Sequence, residues 1–173
     1  MMEMTADDFW RFSLDRYSRD GVSEMCLQLQ DHAGADVNMM LLCLWVGSAS
    51  RLLSREELSQ LIEGEAGNWH RDIVLPLRAA RKAMKGRSVA GDFAGVESFR
   101  DRIKKLEIES EKWEQHSLVA ALSQFAQKPA RKEGEESKAD IARKNLEAYL
   151  HQIAPNTLEN NRELLTRLVE VCI

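Results

Sequence analysis

Eight consecutive residues, Met39-Met40-Leu41-Leu42-Cys43-Leu44-Trp45-Val46, contain no polar side chain. Around them apolar residues recur at helical spacing and β-branched alternation is absent, so the run reads as a helix without a polar face. Such a helix is covered by protein on every side. It is too short to span a bilayer, which asks for ~20 apolar residues. The run therefore predicts an all-α helical bundle around a buried central helix over about 36–50, opened by Asp36 as N-cap. Gly47, Ser48 and Ala49 at its far end are small enough for a neighbouring backbone to approach closely.

The remaining elements follow from start and stop signals. Thr5 with Asp8 opens a helix carrying Phe9, Trp10, Phe12 and Leu14 toward Tyr17, and Asp20-Gly21 turns the chain. A second helix over about 22–32 stops at Gly34. Ser54-Arg55-Glu56-Glu57 is a capping box. From Trp69 to Lys85 the stripe Trp69, Ile73, Leu77, Ala80, Met84 predicts a helix, and Pro76 within it predicts a kink near 72–75. A long helix is expected over about 97–127, with Phe99, Ile103, Leu106, Ser110 and Trp113 inward in its first half and Leu118, Leu122 and Phe125 in its second. Residues 128–140 read as a charged linker, which separates a bundle domain (1–127) from a C-terminal helical hairpin (141–173). Two helices, about 139–153 and 158–172, flank Pro155, with Asn156 and Glu159 as a further capping box. The hairpin is expected to dock on the bundle or on a second chain, and a homodimer through it or through the long helix is the expected assembly.

Composition excludes several chemistries. The three cysteines, Cys26, Cys43 and Cys172, show no CxxC spacing and lie in apolar contexts, which fits inert thiols in a reducing cytoplasm. The acidic N-terminal stretch lacks the pattern of a secretory signal, and a cytoplasmic location is expected. The four histidines, His32, His70, His116 and His151, are isolated in sequence, and no Glu-x-x-His or HExxH occurs. No metal ligand set, cofactor motif or catalytic residue is read from these patterns, and the enzyme reading is the minority view.

Two surfaces remain as functional candidates. With 24 Lys+Arg against 28 Asp+Glu the chain carries a formal net charge of −4, yet residues 69–87 hold six cations against the one acid Asp72. Arg71, Arg78, Arg81, Lys82 and Lys85 form the candidate partner-binding set, with Arg81 bordering the apolar side and Glu107 or Glu111 as its expected partner. The favoured function is a non-catalytic interaction or regulatory module that offers this cationic helix to an acidic protein. RNA binding is the alternative, weakened by the overall negative charge and by the lack of aromatic residues among the basic ones. A third reading is a small-molecule-binding protein or enzyme with a pocket beside the central helix, lined by Trp10, Tyr17, Asp31, Asn38 and Trp45.

Phe9-Trp10-Arg11-Phe12-Ser13-Leu14 with Tyr17, then Gly21-Val22, Cys26 to Asp31, Gly34 and Asp36-Val37-Asn38 carry a family resemblance. Trp69 and the run Pro76 to Lys85 extend it, as does the stretch from Ile103-Lys104 to Glu111. Over about residues 5–125 the chain resembles a small family of helical bacterial proteins of unknown function. The resemblance implies a cytoplasmic helical protein of Gram-negative bacteria and carries no activity or site residue across.

Overall fold

A computed structural model describes residues 4–125 and 136–173. Among the described residues the chain is all-α, and no helix is long and apolar enough to cross a membrane. In chain order the helices are α1 (Ala6–Tyr17), α2 (Val22–Ala33), α3 (Val37–Ser48), α4 (Arg55–Glu63) and α5 (Glu65–Trp69). A π-turn (His70–Val74) leads into α6 (Leu75–Ala83), followed by α7 (Phe93–Gln124) and α8 (Lys138–Ile153). A 3₁₀ turn (Pro155–Thr157) connects α8 to α9 (Leu158–Cys172).

The apolar run is the central helix. α3 is packed by α1, α2, α7 and α8, and Leu41 and Trp45 keep only 3% and 8% of their surface. Trp45 stacks on Phe9 of α1, with ring centroids 5.0 Å apart. Along α8 the approach is so close that a Cβ placed on Gly47 would fall 2.5 Å from the Ala142 Cα. The small residues at the end of α3 therefore have a purpose: they let α8 lie against its backbone. The hairpin α8–α9 docks on the bundle of its own chain, where Ile141, Leu146, Leu150, Leu165 and Leu168 are buried. Arg16 of α1 and Arg19 in the turn after it donate to the carbonyls of Cys172 and Val171, each at 2.6 Å, and so cap the last turn of α9.

Local signals explain the helix starts. Thr5–Asp8 and Ser54–Glu57 form reciprocal capping boxes, and Asp36, Asp92 and Ser137 accept from amides of their own first turns. The Asn156–Glu159 box does not form. The chain instead turns through 3₁₀ geometry, and Thr157 Oγ1 donates back to the Ala154 carbonyl at 2.9 Å. Of the expected linker, residues 128–135 lie outside the described residues.

Two apolar stripes are corrected. Of the expected stripe, Trp69 and Ile73 stay about a third exposed, Ala80 is exposed and Leu77 and Met84 are only half-buried, while Val74 is buried and Arg78 and Arg81 turn toward α7. The cause is the π-turn, in which the Leu75 amide donates to the His70 carbonyl five residues back. Widening one turn by a residue rotates the following face by about 100°, so a stripe read through Pro76 at a constant helical period cannot hold. In α7, Ser110 is buried as expected, but Phe99, Leu106 and Trp113 are exposed, and Glu107 and Glu114 are buried instead. The apolar phase of Leu118 and Leu122 runs back along the helix onto carboxylates.

Candidate functional site

The buried polar face of α7 meets the beginning of α3 and the π-turn. Asp36 stands at the N-cap of α3, where its Oδ1 accepts from the Asn38 amide at 2.9 Å. Its own amide donates to the Tyr149 hydroxyl at 2.8 Å, which ties the cap to α8. The second carboxylate oxygen, Oδ2, faces His70 Nδ1 at 3.4 Å. From the other side Glu114 Oε2 approaches the same nitrogen at 3.2 Å and accepts from Asn38 Nδ2 at 3.0 Å. Asn38 Oδ1 in turn accepts from Gln115 Nε2 at 2.8 Å, and that amide also donates to Ser13 Oγ at 3.1 Å. One imidazole and two carboxylates, from three separate elements, are thus held by a polar network reaching α1.

This cluster is short of positive charge. Burial pushes the Asp36 carboxyl well above its usual range, and the neighbouring Glu114 pushes it further. Burial likewise raises the Glu114 carboxyl against the hydrogen bonds that favour its ionised form. Glu114 is 0% exposed, and its Oε1 has no hydrogen-bond partner. No guanidinium or ammonium hydrogen-bonds to either carboxylate among the described residues. The nearby Arg78 turns instead to Glu107 (3.0 Å), Glu111 (2.7 Å) and Gln30.

Asp36 and His70 open onto a cleft of about 530 Å³. Met39, Ile62, Leu75 and Ile153 supply its apolar walls, Tyr149 and Gln30 add polar groups, and Arg71, Arg78 and Lys82 stand along one side. Arg71 donates to the Ile62 carbonyl at 3.0 Å and to Asn68 Oδ1 at 2.6 Å, both neutral acceptors, and so keeps its net charge. Lys82 is exposed.

The sequence-derived sets are redistributed. Of the cationic five, Arg71, Lys82 and Lys85 face solvent. Arg78 (13% of its side chain exposed) and Arg81 are withdrawn onto α7, where Arg81 meets Glu107 at 2.5 Å as expected from the sequence. Of the expected pocket, Asn38 is buried and orients Glu114, and Trp45 belongs to the core. Trp10 lies under the Lys112 ammonium at 5.8 Å, Tyr17 is half-buried, and Asp31 is exposed. None of these five residues lines the cleft, which opens at the N-terminal end of α3 rather than along its side.

His70 and Glu114 were not distinguishable as site residues by spacing. The available signal is indirect: extending Leu122 and Leu118 backward by four residues reaches Glu114, a carboxylate in a core position. Residues 8–118 match the family described as protein of unknown function (DUF2390). The match holds Asp36, His70, Arg78, Glu107 and Glu114, whereas Tyr149 lies beyond it. Searches against curated proteins and solved structures give no match. With more than half of its length matched, the chain belongs to the DUF2390 family.

Proposed function

We propose that this protein binds a small molecule with an anionic group and an apolar body in the cleft beside the N-terminus of α3. The observation that carries the reading is the Asp36–His70–Glu114 cluster, of which Asp36 and His70 line the cleft and Glu114 is fully buried, since buried ionisable groups cost stability and a core can be packed without them. The cleft volume of about 530 Å³ falls in the range of small-molecule sites. Arg71 and Lys82 supply charge for the anionic group, and Met39, Ile62 and Leu75 a surface for the body. Asp36 and His70 then meet a polar end of the ligand with groups able to give or take a proton.

Thermal unfolding against a panel of aryl phosphates, nucleoside monophosphates and medium-chain carboxylates tests this. A rise in Tm for one class, lost in Lys82→Glu and kept in Lys85→Glu, is the expected result, because Lys85 does not line the cleft. No rise across the panel, or an equal rise in both variants, contradicts it.

A second reading keeps the cationic helix as a docking surface for an acidic protein, supported by the exposure of Arg71, Lys82 and Lys85. It differs in one outcome. Charge reversal at Lys85 would weaken capture as much as reversal at Lys82, and nuclease-sensitive capture would point to RNA instead.

A further inference from the structure

We infer that Asp36, His70 and Glu114 hold a divalent first-row transition metal ion, zinc or iron(II), through His70 Nδ1 and an oxygen of each carboxylate. The inference rests on the cleft reading for its access route but on separate observations for its substance.

Geometry comes first. The three ligand atoms lie within 4.8 Å of one another, with Nδ1 at 3.2 Å from the Glu114 oxygen and 3.4 Å from the Asp36 oxygen. Donors bound tetrahedrally at about 2.0–2.2 Å from a zinc ion are about 3.3–3.6 Å apart. The Asp36 separation of 3.4 Å falls within that range and the Glu114 separation of 3.2 Å just below it. A single proton on Nδ1 points along one direction and satisfies one of the two oxygens well; a cation among the three serves all of them.

Charge gives the second argument. The Asp36 and Glu114 carboxyls hydrogen-bond to each other, which keeps a proton between them; a divalent ion would displace that proton and cancel both carboxylate charges, and the local arginines are engaged with Glu107 and Glu111. The unpartnered Glu114 Oε1, in a side chain with no exposed surface, is an independent sign of an incomplete shell. A buried carboxylate oxygen with no donor is expensive unless something binds it.

The supporting shell is present too. Asn38 orients both acids, through its amide to Asp36 and its side chain to Glu114, and Gln115 fixes Asn38. The imidazole arrives from the first residue of a π-turn, a local distortion found disproportionately at functional sites. The mixed nitrogen and oxygen donors favour zinc or iron(II) over magnesium or calcium, which prefer all-oxygen shells. Three protein ligands leave a further position for water or ligand, and Asp36 and His70 border the cleft through which it would enter.

The test uses the full chain, stripped with a chelator, dialysed, and titrated with cobalt(II) by visible absorption and with zinc(II) by calorimetry. The expected result is one ion per chain, with zinc displacing the cobalt spectrum. His70→Gln and Glu114→Gln should each weaken binding by more than about a hundredfold, and Asn38→Ala by about tenfold, as for groups that orient ligands. His151→Ala, on α8, should change nothing. Glu114→Gln preserves side-chain volume and an acceptor for Asn38, and circular dichroism verifies that it folds. No cobalt absorption and no zinc heat in the wild type, or equal affinity in Glu114→Gln, overturns the inference. If metal binding fails while Lys82-dependent anion binding persists in the stripped protein, the metal is refuted and the cleft reading stands.

Discussion

Single polar side chains in this protein carry work that apolar packing cannot. Asn145 of α8 is completely buried, accepts from the Leu53 amide at 2.9 Å, and donates to the carbonyls of Arg51 (3.0 Å) and Cys43 (3.3 Å). It thereby satisfies the backbone where the chain leaves α3 for α4. Asn145→Ala would leave those groups without partners and should cost ~2–4 kcal/mol, read as a lower urea midpoint at unchanged slope. A variant as stable as the wild type would mean that water replaces the amide. The thiols show the complementary case: burial pushes Cys26 up to about 12 and Cys172 up to about 11, in keeping with the inert role expected from their apolar neighbours. Asp36 marks the limit of reading residues singly. Its capping oxygen is legible from its place before an apolar run, but its other oxygen faces a histidine that no local pattern connects to it.

At the scale of elements, α6 is attached to the bundle in an unusual way. It buries no residue of its own, and the arginines Arg78 and Arg81 join it to α7. Burial works to raise the Glu107 carboxyl, but hydrogen bonds from Arg81 and Arg78 outweigh it and hold the group below its ordinary value. A carboxyl depressed by folding contributes stability that is present above the unfolded pKa and is lost as pH falls through the folded one. Acidification should therefore loosen α6 while the core persists. Backbone NMR shifts of residues 75–83 should move toward coil values as pH falls below the ordinary carboxylate range, ahead of global unfolding, and in Glu107→Gln they should already be displaced at neutral pH. Shifts that stay fixed while Glu107 is protonated would contradict the attachment. The position of the break before α6 is legible in Pro76, and so is the Arg81–Glu107 pair. The direction in which the helix faces afterwards is not, because a period-counting argument carries no information about a widened turn. In α7 the cause is different: the helix is regular, but its buried side carries the carboxylates Glu107 and Glu114 beside the expected Ser110, and a count of apolar residues passes over carboxylates.

Over the whole molecule the organising fact is the enclosure of α3, and that much follows from eight apolar residues in a row. The hairpin completes the enclosure from within the same chain, with Ala142 packed against Gly47 so closely that no Cβ would fit there. Deleting residues 138–173 would uncover α3, and the truncated chain should lose cooperative unfolding; a truncated form with the wild-type urea midpoint would show the hairpin to be an accessory. What the sequence could not disclose is that the fold gathers residues 36, 70 and 114 at one point, since each is separated from the next by more than thirty positions. Such a convergence is a property of packing and appears only when the helices are assembled.

The claim that this convergence serves function rather than stability can be tested directly. Burial raises both the Asp36 and Glu114 carboxyls, and a carboxyl raised by folding contributes stability that is present below the unfolded pKa and lost as pH rises through the folded one. Urea unfolding of chelator-stripped wild type and Glu114→Gln, followed from the ordinary carboxylate range up to about pH 8, separates the alternatives. The account predicts that the wild-type midpoint falls as pH rises, that the variant's falls less, and that the variant is the more stable of the two at the upper end. A Glu114→Gln protein less stable than the wild type at every pH would identify the carboxylate as a structural bond and contradict the account.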